Sequence, residues 1–380
     1  MKVLQFTPYF PPHKWWLETV AEEFSKYFVQ QGWEVINVTS SIWQEHENSY
    51  IRDGYKVIIV PSFDIIPNFP VPKFRKKEFW TVMKMIKKEK ADIVQTHTRF
   101  FLSTFLWWFL ARCRRIKRVH IEHGSEYVQV SAWRKNKIAY FYDRLIGKWV
   151  FKRADFIIPI SNACKHFIEM KFLKRPNMQV VYRWLEIPHI LPKVENLHEK
   201  FPDKYIVWFI GRLYKRKNVE NMITAYYSLD KNIQNKLQIV IVGDGEDFKK
   251  LQALDIDKRV YFTWGKPFTE ALAYQKQFDI HYHTSNPWWW LATTLLQAMY
   301  FGCFIVATPN EWSLDVLENH KNAVVLQNST LEEIIIWYKQ WLDWYNKKLE
   351  RAKINEKIIE EKFDWKYNIK TYFILYKDLL

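Results

Sequence analysis

One run of the chain sets a glycine and two well-spaced cations behind an apolar stretch: Ile210-Gly211-Arg212-Leu213-Tyr214-Lys215-Arg216-Lys217-Asn218-Val219-Glu220-Asn221-Met222-Ile223. Gly211 lets the backbone turn sharply after a strand, so that Arg212 and Lys217 project together from the strand end. Two fixed cations there suit a nucleotide diphosphate, whose charge rises as a sugar leaves it. Val242-Gly243-Asp244-Gly245-Glu246 repeats the pattern of strand, glycine turn and helix start. That signal is weak alone, because many strand-to-helix turns carry glycine. His97, in Thr96-His97-Thr98-Arg99-Phe100, and His123, in Glu122-His123-Gly124-Ser125-Glu126, follow two further strand candidates. A lone histidine is more often a satisfied structural residue. Glu18 is an acid at the start of the first helix, and no carboxylate stands out as a nucleophile. Cys113, Cys164 and Cys303 are odd in number and far apart, which gives neither a disulfide framework nor metal-ligand spacing. No Asp-x-Asp metal pair stands in a cleft position either, since Asp244 and Asp247 are not so spaced.

Taken together these segments resemble the family 4 glycosyltransferases over nearly the whole chain, most closely from 205 to 326. Gly211 to Lys217 is similar to the family's Gly-Arg-Leu-x-x-x-Lys-Gly signature, which implies that Arg212 and Lys217 hold the donor diphosphate; Asn218 replaces the usual final glycine. Gly243 and Gly245 match a Gly-x-Gly-x-Glu turn that lies near the nucleotide base or shapes the site. Ser285 to Met299 resembles the nucleotide-sugar loop, normally glycine-rich, and implicates Trp289, Trp290, Leu291 and Gln297 in donor binding. Of the family's two loop glutamates, the first falls on Trp289 and the second on Gln297, whose amide oxygen can still accept from ribose hydroxyls. Trp15 and Trp16 occupy a Gly-Gly turn against the phosphates. His123 matches a histidine near the reacting sugar and is the catalytic candidate, Glu18 and His97 fall on the acceptor side, and Ser161 matches a structural strand-end serine. The resemblance implies a retaining hexosyltransferase of GT-B architecture that needs no metal and no cofactor besides its nucleotide-diphosphate-sugar donor.

Tryptophan stands at several family glycine positions: Trp15, Trp16, Trp184, Trp208, Trp288 to Trp290 and Trp312. The 9 glycines and 20 tryptophans together approach the share usual for glycine alone, about 7%. We read many of these tryptophans as UGA codons that the source organism translates as glycine. Others, such as Trp337 and Trp365, sit on helical patterns that want an aromatic. If the printed tryptophans and Gln297 are instead literal, a non-catalytic nucleotide-sugar-binding scaffold is the alternative.

The elements that must position these residues alternate strand and helix throughout, the mark of helices covering both faces of a parallel sheet. Strand candidates are 3–6, 34–38, 56–60, 91–95, 118–121 and 155–159, and the pattern restarts with 205–210, 237–242, 260–262, 279–282, 304–307 and 323–326. The fold class is α/β, with two Rossmann-like doubly wound domains facing a cleft. An N-terminal acceptor-side domain spans 1–190, a nucleotide-sugar-binding domain 191–362, and a helix over 363–380 returns to the first domain. Ligands of such sheets bind outside the carboxyl ends of the strands.

Hydrophobic content of 48% excludes a globally disordered chain. The first residues read as a strand rather than a signal peptide, and with the scattered cysteines they point to a cytoplasmic protein, at the membrane's inner face if anchored. The net charge of +16 is concentrated: 73–90 holds eight basic and two acidic residues, and Arg112, Arg114, Arg115, Lys117 and Arg118 follow the apolar run 100–111. That run is too short to span a bilayer. It fits either adsorption to an anionic membrane surface or a buried helix with a solvated basic end. Expected partners are the nucleotide sugar and a lipid-linked or glycan acceptor, as in glycolipid or surface polysaccharide synthesis. Nucleic acid is not expected, as no recognition motif accompanies the charge.

Overall fold

The computed structural model describes residues 1–12, 16–42, 44–45, 48–66, 69–106, 116–128, 133–182, 185, 187–284, 292–309, 313–328 and 330–380. The chain divides into two compact units, Met1–Arg183 with Lys366–Leu380, and Trp184–Trp365.

In the first unit the strands are β1 (Lys2–Phe6), β2 (Glu34–Ser40), β3 (Ser49–Arg52), β4 (Tyr55–Val60), β5 (Ser62–Ile66), β6 (Phe69–Pro72), β7 (Ile93–His97), β8 (Lys117–Glu122) and β9 (Phe156–Pro159). Seven of them form one sheet in the order β3-β4-β2-β1-β7-β8-β9, while β5 and β6 pair separately. The large sheet is parallel except at its β3 edge. Asp53 and Gly54, both at positive φ, close the β3–β4 hairpin as a two-residue loop. The inner strands are buried along nearly their whole length, as parallel strands covered on both faces must be. Helix α1 (Trp16–Gln30) follows β1, and α2 (Lys77–Lys88) buries Phe79, Val82, Met83 and Ile86 at helical spacing against Ile58, Val60 and Val94. Then come α3 (Trp133–Arg153) and α4 (Asn162–Lys171), the latter capped by Ser161, whose hydroxyl accepts from the Cys164 N–H.

The second unit repeats the plan with β10 (Tyr205–Ile210), β11 (Leu237–Val242), β12 (Val260–Thr263), β13 (Ile280–His283), β14 (Phe304–Ala307) and β15 (Val324–Val325), all parallel, in the order β12-β11-β10-β13-β14-β15. Its helices include α5 (Val219–Tyr227), α6 (Phe248–Leu254), α7 (Thr293–Tyr300), α8 (Leu331–Tyr345) and α9 (Lys348–Phe363). Trp337, Tyr338 and Trp341 of α8 enter one core with the apolar side chains of β10, β11, β13 and β14.

The last helix, α10 (Trp365–Leu379), packs in the first unit. Tyr372 and Tyr376 meet Phe24 with ring centroids 5.9 and 5.8 Å apart, and Phe373 meets Trp33 at 4.9 Å. No described helix is long and apolar enough to cross a membrane.

Candidate functional site

Each sheet grows outward in both directions from an inner pair of strands, β1 beside β7 in one unit and β10 beside β13 in the other. At such a switch point the loops leaving neighbouring strands diverge, and the gap at their carboxyl ends admits a ligand. Of the described candidates, Gly211 and Arg212 leave β10 and His97 ends β7.

In the second unit Gly211 leaves β10 at φ 140°, and Gly243 and Gly245 leave β11 at 155° and 152°. The three glycines lock two loops backbone to backbone. A Cβ on Gly243 would lie 2.0 Å from the Gly211 carbonyl oxygen, and one on Gly245 2.2 Å from that of Leu213. The Leu213 N–H donates to the Asp244 carbonyl at 2.7 Å, and the Asp247 N–H to the Leu213 carbonyl at 3.1 Å. Gly243 and Gly245 thus shape the turn that presents the cationic segment. That segment continues as a 3-10 turn, Lys215–Lys217, and ends on Asn218 at φ 55°, a left-handed position that asparagine tolerates almost as well as the expected glycine.

Arg212 is exposed and Lys217 partly buried. Burial lowers the Lys217 pKa, and among the described residues no carboxylate pairs with its ammonium. Its charge is felt at β13. Burial together with Lys217 pushes His283 down to about 3, and burial, His283 and Lys217 lower His281. Both imidazoles are buried and neutral, on one face of the strand by their alternate spacing. The His281 ring lies tilted against Trp208 with centroids 4.2 Å apart. A poorly solvated ammonium near two neutral imidazoles makes a site of positive potential suited to an anion. Sequence reasoning passed over His281 and His283, although their spacing of two within a strand was the available signal. Gln297 lies buried in α7. Trp289, Trp290 and Leu291 lie outside the described residues, as do Trp184, Trp288 and Trp312.

In the first unit Glu18 is buried in the first turn of α1. Trp15 lies outside the described residues, and Trp16 is described only as the first residue of that helix. Beyond β7, Thr98 holds φ 57°, an uncommon conformation for a β-branched residue, which marks local backbone strain beside His97. His97 and His123 come together: His97 Nδ1 and His123 Nε2 lie 3.1 Å apart, with stacked rings. Burial, then His123 and His120, depress the His97 pKa well below its ordinary value.

Below them sits a buried ion network centred on Arg99. Its guanidinium donates to both oxygens of Asp143 at 2.8 and 2.9 Å, meets Glu122 at 3.0 Å, and lies over the Phe167 and Phe172 rings. Gly147 of α3 makes room, since a Cβ there would come within 2.8 Å of Arg99 Cδ. Glu122 accepts from the N–H groups of Arg99, His123 and Gly124. Although burial works against its ionisation, Arg99, His120 and these donors hold its carboxyl well below the usual carboxylate range. The loop carrying His123 is therefore fixed by an ionised, fully satisfied carboxylate.

The chain has relatives with known names. The family model for glycosyl transferases group 1 matches residues 193–358, and that for glycosyltransferase family 4 matches 17–187. An uncharacterized glycosyltransferase of Methanocaldococcus jannaschii is 36% identical, covering 100% of this chain and 99% of its own. An α-1,4-N-acetyl-D-galactosaminyltransferase of Campylobacter jejuni, named for a glycan acceptor carried on PP-undecaprenol, is 24% identical over 57% of this chain and 59% of its own. Among solved structures, sucrose-phosphate synthase from Thermosynechococcus elongatus superposes with a TM-score of 0.79 at 15% identity, covering 100% of this chain and 98% of that one. Anabaena HepE in complex with UDP-glucose follows with a TM-score of 0.71 at 14% identity, covering 100% and 99%. These likenesses show the GT-B fold.

Proposed function

The chain belongs to glycosyltransferase family 4, and we propose that it moves a sugar, with retention of anomeric configuration, from a nucleotide-diphosphate-sugar donor to an acceptor hydroxyl. The observation that carries this reading is Lys217, an ammonium partly withdrawn from water in the turn that follows β10, with no carboxylate paired to it among the described residues. A diphosphate would pair with this ammonium, and Arg212 adds a second cation at the same turn. As the sugar–phosphate bond breaks, negative charge grows on the leaving diphosphate, so these cations bind the transition state better than the donor. In this reading Gln297 contacts the ribose and His123 faces the reacting sugar. Relatives named for lipid-carried acceptors support a lipid-linked or glycan acceptor for this chain too.

The outward face of α3 supports an encounter with an anionic membrane. Ile138, Phe141 and Leu145 are 71%, 61% and 69% exposed. Lys137, Arg144 and Lys148 are exposed on the same arc, and the helix's acid Asp143 points inward to Arg99. Apolar side chains ringed by cations suit adsorption to acidic headgroups. The basic cluster expected to serve this role is described only in part, with Lys117 exposed. Arg112, Arg114 and Arg115 lie outside the described residues, and Arg118 is bound to Asp155 at 2.7 and 2.8 Å.

A thermal-shift screen of nucleotides and nucleotide sugars tests the donor assignment, because a ligand at 100 times its Kd stabilises the folded chain by about 2.7 kcal/mol. One or more nucleoside diphosphate sugars should raise Tm while the matching nucleosides do not. A screen with no diphosphate-dependent shift would contradict the proposal.

A further inference from the structure

Three side-chain amides and two imidazoles form a continuous buried row across the first unit, and their donor and acceptor roles can be worked out from one fixed point. Asn37, Gln5 and Gln95 are register neighbours on β2, β1 and β7. The Gln5 side-chain nitrogen lies 3.0 Å from the Ala21 carbonyl oxygen. A backbone carbonyl can only accept, so that end of the amide is Nε2 and the other is Oε1. Gln95 approaches Gln5 Oε1 at 2.6 Å, and only its own Nε2 can do so favourably. The Gln95 Oε1 is then turned to Tyr376 of α10, whose hydroxyl donates to it at 2.6 Å.

The same Gln95 Nε2 lies 2.7 Å from His97 Nε2. An amide nitrogen has no lone pair to offer, so His97 Nε2 must be bare and accept. A proton on Nε2 could reach Gln5 Oε1 at 3.1 Å, but it would set two donors against each other at the shorter distance. The single proton of neutral His97 therefore sits on Nδ1 and is donated to His123 Nε2 at 3.1 Å. With Nε2 occupied as an acceptor, neutral His123 carries its own proton on Nδ1.

We propose that Gln5 and Gln95 are positioning residues that fix His97 and His123 as Nδ1–H tautomers. His123 then acts on the sugar as a neutral hydrogen-bond donor through Nδ1 rather than as a base through Nε2. The chemical consequence rests on the reading that His123 faces the reacting sugar, whereas the tautomers follow from the network alone.

Long-range 1H–15N NMR of the full chain with 15N-labelled histidine reads the tautomers directly, because protonated and bare ring nitrogens of a neutral imidazole resonate far apart. In the parent protein His97 and His123 should both be Nδ1–H. Gln95→Leu removes the donor that keeps His97 Nε2 bare. His97 should then turn its proton to Gln5 Oε1, accept from His123 through Nδ1, and invert both tautomers. If that variant fails to fold, Gln95→Met removes the same donor while keeping the length of the side chain, and it should give the same inversion. Tyr376→Phe leaves the Ala21–Gln5–Gln95 logic intact and should keep both tautomers. In a donor-turnover assay, inversion should lower kcat roughly tenfold or more with donor KM little changed. An Nε2–H tautomer at either histidine in the parent overturns the relay. Inverted tautomers with unchanged kcat overturn its positioning role. Predicted tautomers combined with unaltered turnover in His123→Ala would instead overturn the catalytic reading of His123 and leave the relay standing.

Discussion

Lys217 and the glycines beneath it divide the donor turn into a charge and a frame. Replacing Lys217 or Arg212 by Ala should weaken nucleoside diphosphates by about 1.5–3 kcal/mol, roughly 10- to 100-fold, and hardly affect nucleosides. Calorimetry with both ligand types checks this, and equal losses would remove these residues from the phosphate site. Gly243→Ala or Gly245→Ala should act through the fold. A Cβ there meets a carbonyl oxygen at 2.0 or 2.2 Å and adds positive-φ strain, so urea unfolding should show a loss of at least ~2 kcal/mol. A near-neutral effect would mean that the two loops can separate. At this scale the sequence displayed residue types but not their pairings. Gly211, Arg212 and Lys217 share one short run and could be read together. Gln5, Gln95 and Tyr376 stand 90 and 281 positions apart, and nothing in their spacing joins them before the sheet does. In the sequence Arg99 and Glu122 stand out only as neighbours of His97 and His123, because a buried ion network leaves no periodic trace.

Among the elements, the parallel strands were the most legible, since burial on both faces makes them continuous apolar runs such as 205–210 and 237–242. The antiparallel edge β3 and the β5–β6 pair were not read. Ser49–Arg52 is short and largely exposed, although Asp53-Gly54 was an available hairpin signal. Helix α3 shows a limit of a different kind: its exposed apolar stripe is interleaved with cations and looks, as a string, like an ordinary mixed helix. Changing Lys137, Arg144 and Lys148 to Gln should reduce sedimentation with anionic vesicles, at about 1 kcal/mol per cation near the surface. Unchanged sedimentation, or none by the parent, would make this face simply solvated. The tryptophan-bearing segments also belong to this scale. If they stand for glycine codons, changing Trp15, Trp16, Trp288, Trp289 and Trp290 to Gly should strengthen nucleotide-sugar binding, against the usual entropic cost of glycine. Binding no better than that of the printed chain would leave the tryptophans where they are.

For the whole molecule, buried neutral histidines make stability depend on pH. His97, His281 and His283 have folded pKa values below the unfolded value of about 6.5, so the unfolded chain binds more protons. Their contribution is complete above that pH and is lost as pH falls towards the folded values, about 3 for His283, at about 1.4 kcal/mol per pH unit for each histidine. The urea midpoint should drop steeply between pH 7 and pH 5, and a flat profile would mean that these imidazoles are not held neutral. The central claim concerns what the molecule does with its donor. Time-resolved 1H NMR of donor hydrolysis, with water taking the acceptor's place and the nucleotide sugar chosen by thermal shift, resolves the first-formed anomer before mutarotation scrambles it. Released sugar should keep the donor's anomeric configuration, at a rate that falls sharply in Lys217→Ala. Inverted sugar would contradict the retaining mechanism, and an intact donor that binds but never turns over, alone or with added acceptors, would leave a nucleotide-sugar-binding scaffold in place of the enzyme.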